Sequence, residues 1–128
     1  MMIWRGHTGT NQKAFRALAR LRKLRDMERT QLLSMSTPED RDLVYEVGWR
    51  QAGGRPLTVK EALLLLDVGS VATVQRRLRK LCRTGVIAQR RNADDRRVQE
   101  LMLTPKTLGV FARCDDLLSD GEELGEAA

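Results

Sequence analysis

The chain has 128 residues, a net charge of +6 and a pI near 10, with 41% hydrophobic and 31% charged residues. That is about one domain of ordinary globular composition, which excludes wholesale disorder. The longest apolar run, Ala62 to Leu66, is far short of the roughly 20 residues a membrane-spanning helix needs.

Residues 1–9, with Gly6 and Gly9, read as an irregular N-terminus. From Thr10, Phe15, Leu18, Leu21, Leu24 and Met27 recur every three positions among Arg and Lys. This spacing predicts a long helix ending near Ser34, with an apolar stripe that drifts around the cylinder. Ser36-Thr37-Pro38-Glu39-Asp40 predicts a second helix: a hydroxyl cap, proline in the first turn, then carboxylates beside the positive helix end. Leu43, Val44 and Val47 are its expected buried face, with Trp49 as a further candidate, and Gly53-Gly54-Arg55-Pro56 breaks it. Residues 10–56 are thus expected to form a block of N-terminal helices.

Thr58-Val59-Lys60-Glu61 is a capping box, opening a short helix from Val59 to about Leu66. Asp67-Val68-Gly69-Ser70 gives a tight turn in which Gly69 can take positive φ and Ser70 can cap the next helix. That helix runs from Val71 to about Arg83 and stops at Thr84-Gly85. Val86–Gln89 and Val98–Leu103 read as two strands around a polar turn, Arg90 to Arg97. Thr104-Pro105 starts a last helix, 105–118, burying Leu108, Val110 or Phe111, and Leu117. An acidic flexible tail, 119–128, is expected beyond it. The order helix, turn, helix, hairpin over 57–104 predicts a winged helix-turn-helix core. The fold class is mainly α with a small β-hairpin wing (α+β), a winged helix-turn-helix with flanking helices.

Charge is unevenly divided. Residues 1–34 carry 8 basic and 2 acidic groups, residues 59–104 carry 10 and 5, and residues 105–128 carry 2 and 6. Polyanionic partners are favoured by such basic blocks. On the helix after Gly69, Val71, Val74, Leu78 and Leu81 fall on one face. The opposite face collects Ala72, Thr73, Arg76, Arg79, Lys80 and Arg83, with Gln75 and Arg77 on its flanks. No carboxylate lies between Asp67 and Asp94. A helix that is merely solvated usually mixes both signs, so the surplus points to an anion that neutralises it when bound.

The sizes fit a double-stranded DNA groove. Ser70, Ala72 and Thr73 are small, where the backbone must approach base edges. Arg76, Arg77, Arg79 and Lys80 are long enough to reach bases or phosphates; Arg76 suits guanine and Gln75 suits adenine. This places a recognition helix, 70–84, in the major groove. The turn 90–97, with Arg90, Arg91, Asp95, Arg96 and Arg97, makes a cationic wing for the minor groove, where Asp95 can orient Arg97. The competing reading is a winged-helix interaction module that binds an acidic protein partner, or its own tail, without reading DNA.

Ser70 to Leu81 (S-V-A-T-V-Q-R-R-L-R-K-L), Gly85-Val86-Ile87, Asp95-Arg96-Arg97 and Leu103-Thr104 resemble the winged-helix core of the MarR family of bacterial transcriptional regulators. The resemblance covers roughly residues 57–105. It implies a homodimer built from flanking N- and C-terminal dimerisation helices, with 10–56 as the dimerisation or supporting block, that binds a pseudo-palindromic operator and often represses. It also implies that Thr73, Gln75 and Arg76 face the major groove and that Arg97 is the wing arginine, with Asp95 beside it. The chain departs from the family in lacking a further C-terminal helix and in carrying Thr107 where a glycine is usual.

Two cysteines (Cys82, Cys114) and one histidine (His7) leave too few ligands for a metal site, and no nucleophile stands with a base. No catalysis and no cofactor are therefore expected. No apolar stretch comes after Arg5 as a secretory signal requires, so a cytoplasmic location is expected. Of the two thiols, Cys82, near Lys80 and Arg83, is the better redox candidate, against the plainer reading of both as structural. His7 reads as a solvated loop residue. Trp4, Trp49 and Tyr45 are candidates for a small-molecule effector pocket, against simple core packing.

Overall fold

A computed structural model describes residues 8–127 of the chain. The elements are α1 (Thr8–Gln31), α2 (Pro38–Ala52), α3 (Val59–Leu63), a 3-10 turn (Leu66–Val68), α4 (Val71–Arg83), β1 (Ile87–Arg91), β2 (Gln99–Leu103) and α5 (Pro105–Ala127). The order predicted from sequence is the order observed. Residues 1–7, and with them the readings of Trp4 and His7, lie outside the described residues, while Thr8 and Gly9 are helical rather than irregular.

Local chemistry sets the starts of the central helices. Thr37 accepts the Asp40 N–H at 3.1 Å while the Asp40 carboxylate accepts the Thr37 N–H at 3.2 Å, a reciprocal box that supplies two donors otherwise left unpaired. Thr58 and Glu61 do the same for α3. Ser70 accepts the Thr73 N–H at 3.3 Å and caps α4. Before it, Gly69 takes φ of +122°, and an added Cβ would lie 2.9 Å from Thr73 Cγ2. Both the turn angle and the tight approach of α4 therefore require glycine there.

Packing then joins these pieces around one core. Leu43, Val44 and Val47 of α2, Val74, Leu78 and Leu81 of α4, and Leu101 of β2 are buried together with Leu32, Leu57 and Val110. Burial of such side chains contributes about 1.5–3 kcal/mol each. β1 and β2 pair antiparallel from Ile87 with Leu103 to Arg91 with Gln99. On its other edge β2 meets the segment before α3: the Leu101 N–H donates to the Leu57 carbonyl at 2.8 Å, and Thr58 bridges Glu100. Thr107 is fully buried and donates to the Val86 carbonyl at 2.7 Å, tying α5 to the start of the hairpin.

Several sequence expectations are corrected. Trp49 is 77% exposed and Leu108 46% exposed. Five residues beyond Val44, or two before Val110, turns a side chain well over a right angle away from the buried face. Val71 is also half exposed, because the first turn of α4 overhangs the stretch whose Val74, Leu78 and Leu81 are packed. Along α1 the drifting stripe splits: Leu24 and Met27 pack on the core, whereas Phe15, Leu18 and Leu21 are each more than half exposed. α1 ends at Gln31 rather than Ser34, and α3 ends at Leu63, its expected last turn becoming the 3-10 segment. β1 begins one residue late and runs into the expected turn, because Arg90 and Arg91 find partners in Glu100 and Gln99. α5 continues past Leu118 to Ala127; Glu and Leu are good helix formers, so the acidic sequence prolongs the helix instead of ending it.

Candidate nucleic-acid interface

α4 presents one face outward. Ser70, Ala72, Gln75, Arg76, Arg79 and Arg83 are exposed and Thr73 is half-buried. Arg76 donates to Thr73 Oγ1 at 3.2 Å, which lays its guanidinium along the helix surface. Among the described residues, no carboxylate pairs with Arg76, Arg79 or Arg83. These three match the sequence expectation of an uncompensated basic face.

Arg77 and Lys80 do not. Arg77 Nη1 lies 3.0 Å from Asp40 Oδ1, and Lys80 Nζ lies 2.6 Å from Asp40 Oδ2. Arg77 also donates to the Val68 carbonyl and to Thr37 Oγ1. The carboxylate-free stretch from Asp67 to Asp94 is real, but α2 brings in an acid from 37 residues upstream of Arg77. Burial alone would raise the Asp40 carboxyl; hydrogen bonds from Lys80, Arg77 and Thr37 outweigh it and hold the group below the usual carboxylate range. Asp40 was legible as a helix-start carboxylate; nothing local marked it as the partner of α4.

The wing is built by a small polar network. Asn92 Oδ1 accepts the N–H groups of Asp94 and Asp95 at 2.8 and 2.9 Å, folding the turn. Glu100, buried on β2, receives Arg90 at 3.3 Å and the Asn92 amide at 3.1 Å. Asp95 receives Arg97 through both carboxylate oxygens, at 3.1 and 3.3 Å, the orientation expected from the sequence. The guanidinium and the Arg97 N–H together hold the Asp95 carboxyl below its ordinary value. Arg91 and Arg96 are exposed and, among the described residues, have no carboxylate partner. The helix and the hairpin thus supply two cationic surfaces, with Asn92 and Glu100 as positioning groups that sequence reasoning left without a role.

A chain of this shape has solved counterparts. A selenomethionine MepR mutant from a multidrug-resistant S. aureus clinical isolate is 17% identical over 99% of this chain and 84% of that one, with a TM-score of 0.63. The S. aureus MepR–DNA complex is 18% identical, over 90% and 76%, with a TM-score of 0.55. A SlyA-like transcription regulator from Listeria monocytogenes is 14% identical, over 98% and 75%, with a TM-score of 0.50. The fold is a winged helix-turn-helix. That is the architecture implied by the MarR resemblance, and α4 is its second helix and β1–β2 its wing. No family model and no curated protein matches the chain.

The remaining candidates sort by environment. Burial pushes both thiols up, Cys82 against a hydrogen bond from Gln89 and Cys114 with help from the Glu28 charge. Both shifts agree with the plainer reading of the two thiols as structural, and Lys80, one of the cations near Cys82 in sequence, is turned to Asp40. Tyr45 and Trp49 do line one groove, an open space of about 730 Å³ with Leu108 and Phe111. The Tyr45 hydroxyl donates to the buried Glu28, and burial and that carboxylate raise its pKa. No helix among the described residues is long and apolar enough to cross a membrane.

Proposed function

We propose that this protein is a sequence-specific, double-stranded DNA-binding transcriptional regulator of MarR type that acts as a repressor. One observation carries the reading: α4 exposes Ala72, Gln75, Arg76 and Arg79 together, and no carboxylate among the described residues neutralises Arg76 or Arg79. Side chains of this kind read base edges in a major groove or hold the phosphates that flank it. The wing adds Arg96, Arg91 and the Asp95-braced Arg97 for the adjoining minor groove. Likeness in fold to MepR, of which a DNA complex has been solved, supports the same reading.

The functional unit is a cytoplasmic homodimer on a pseudo-palindromic operator. Phe15, Leu18 and Leu21 leave apolar surface on α1 that a second copy would cover, and α1 packs against α5, so the terminal helices form the dimer body. The adaptor alternative would have the basic faces meet an acidic partner or the chain's own tail; among the described residues, the carboxylate partners of Arg77, Lys80, Arg90 and Arg97 are Asp40, Glu100 and Asp95 and none comes from the tail. Neither a cofactor nor a catalytic step is needed for this role.

Selection of duplexes from a random pool tests the proposal. A defined half-site should emerge, repeated about 10 bp away. Arg76→Ala should cost roughly 1–3 kcal/mol on that site and relax one base position. Recovery of no preferred sequence would favour the adaptor.

A further inference from the structure

Asp40 is the most enclosed charged group described, with no exposed side-chain surface, and it sits where α2 faces α4. Both of its oxygens are engaged. Oδ1 takes Arg77; Oδ2 takes Lys80, the Thr37 N–H and the Ser36 hydroxyl. Arg77 in turn reaches the Val68 carbonyl at 3.1 Å. One carboxylate therefore joins the start of α2, the turn before α4 and two successive turns of α4 itself.

We infer that Asp40 is a specificity-determining positioning residue, which keeps Arg77 and Lys80 off the DNA backbone and fixes the pose of α4 above the bases. The inference rests on the DNA-binding function proposed above. Two cations and one buried anion act together as a single positive charge. Lys80 Nζ is drawn toward a desolvated carboxylate at 2.6 Å, which neutralises it and turns it from a phosphate, and breaking a buried pair is costly. Sequence-independent attraction to the phosphates is thereby trimmed, while Arg76 and Arg79, one turn apart, remain available. A helix held at both Arg77 and Lys80 cannot roll about its axis, so Gln75 and Arg76 meet the groove at a set angle. Specificity is the ratio of right to wrong binding, and Asp40 acts on both sides of that ratio.

Salt titrations of affinity for the selected duplex and for an unrelated one, on wild type, Asp40→Asn, Lys80→Gln and Arg79→Gln, test this. Losing one phosphate contact lowers the log–log salt slope by about 0.9. Arg79→Gln should show a decrease of that size, and Lys80→Gln less than half of it. Asp40→Asn should steepen the slope by about 0.9, tighten binding to the unrelated duplex and lower the ratio of selected to unrelated affinity by about tenfold. A carboxylate that only supports the fold would lower the melting temperature and leave the slope alone. If Asp40→Asn fails to fold, the comparison of Lys80→Gln with Arg79→Gln still decides. Equal losses in those two variants overturn this inference and leave the DNA-binding function standing, as does a folded Asp40→Asn with an unchanged ratio. A wild-type protein that binds no duplex overturns both.

Discussion

Asp95 and Arg97 form a two-pronged ion pair at the turn of the wing, two residues apart, with the guanidinium side chain 91% exposed beyond it. The carboxylate restrains the direction of a long side chain without burying it, so less rotamer freedom is lost when the cation enters a groove. Arg97→Ala should weaken binding about tenfold on duplexes with A·T-rich flanks, where the narrow minor groove is most negative, and less on G·C-rich flanks. Asp95→Asn should weaken the same flank preference while leaving the salt slope no shallower. Competition assays with the two flank types read both outcomes.

Asp40 also links stability to pH. Its carboxyl is held below the ordinary value in the folded chain, so the unfolded chain takes up the proton more readily. The stabilisation is therefore complete above the unfolded pKa of about 3.9 and is lost as pH falls through the lower folded value. Urea unfolding of wild type should show stability falling steeply below about pH 4, with a shallower fall in Asp40→Asn. At pH 7, Asp40→Ala should cost about 3 kcal/mol, since it leaves Arg77 without its anion.

The Tyr45 hydroxyl is the donor nearest the buried Glu28, and Arg41 stands farther off, at 3.9 Å. Tyr45→Phe keeps the ring that packs edge-on against Phe111 at 5.8 Å and removes only the donor. It should destabilise by about 1–3 kcal/mol, the cost of a buried acceptor left short of a partner. Thermal unfolding of the two proteins at one concentration measures it.

The exposed apolar surface of α1 should govern assembly. Leu18→Glu with Leu21→Glu places charges on residues already 59% and 57% exposed, so the fold of a single chain should survive. Sedimentation should then report the mass of one chain where wild type gives two, and affinity for a two-half-site duplex should fall at least a hundredfold, because two linked sites become one.

Sequence reached furthest where structure is made locally. The bounds of α4 come from Ser70 as cap and Gly85, with φ of +78°, as terminator; the Thr58–Glu61 box and the Asp95–Arg97 pair also lie within three residues of themselves. What stayed hidden depends on distant approach. Nothing near Asp40 in the chain shows that it faces Arg77, and the carboxylate-free stretch around Arg77 suggested the opposite. The burial of Glu28 and Glu100 was equally invisible, because each meets its partner only after packing. Trp49 shows the converse: a large apolar residue on an amphipathic helix reads as core until its angle to Val44 and Val47 is counted.

β2 is hydrogen-bonded on both sides, to β1 and to the segment at Leu57, so the hairpin's open edge belongs to β1. That edge carries Arg90 and Arg91, and two copies meeting there would bring like charges together. Crowded copies of the chain are thus discouraged from zipping into a continuous sheet, and the cations of the wing guard it against aggregation.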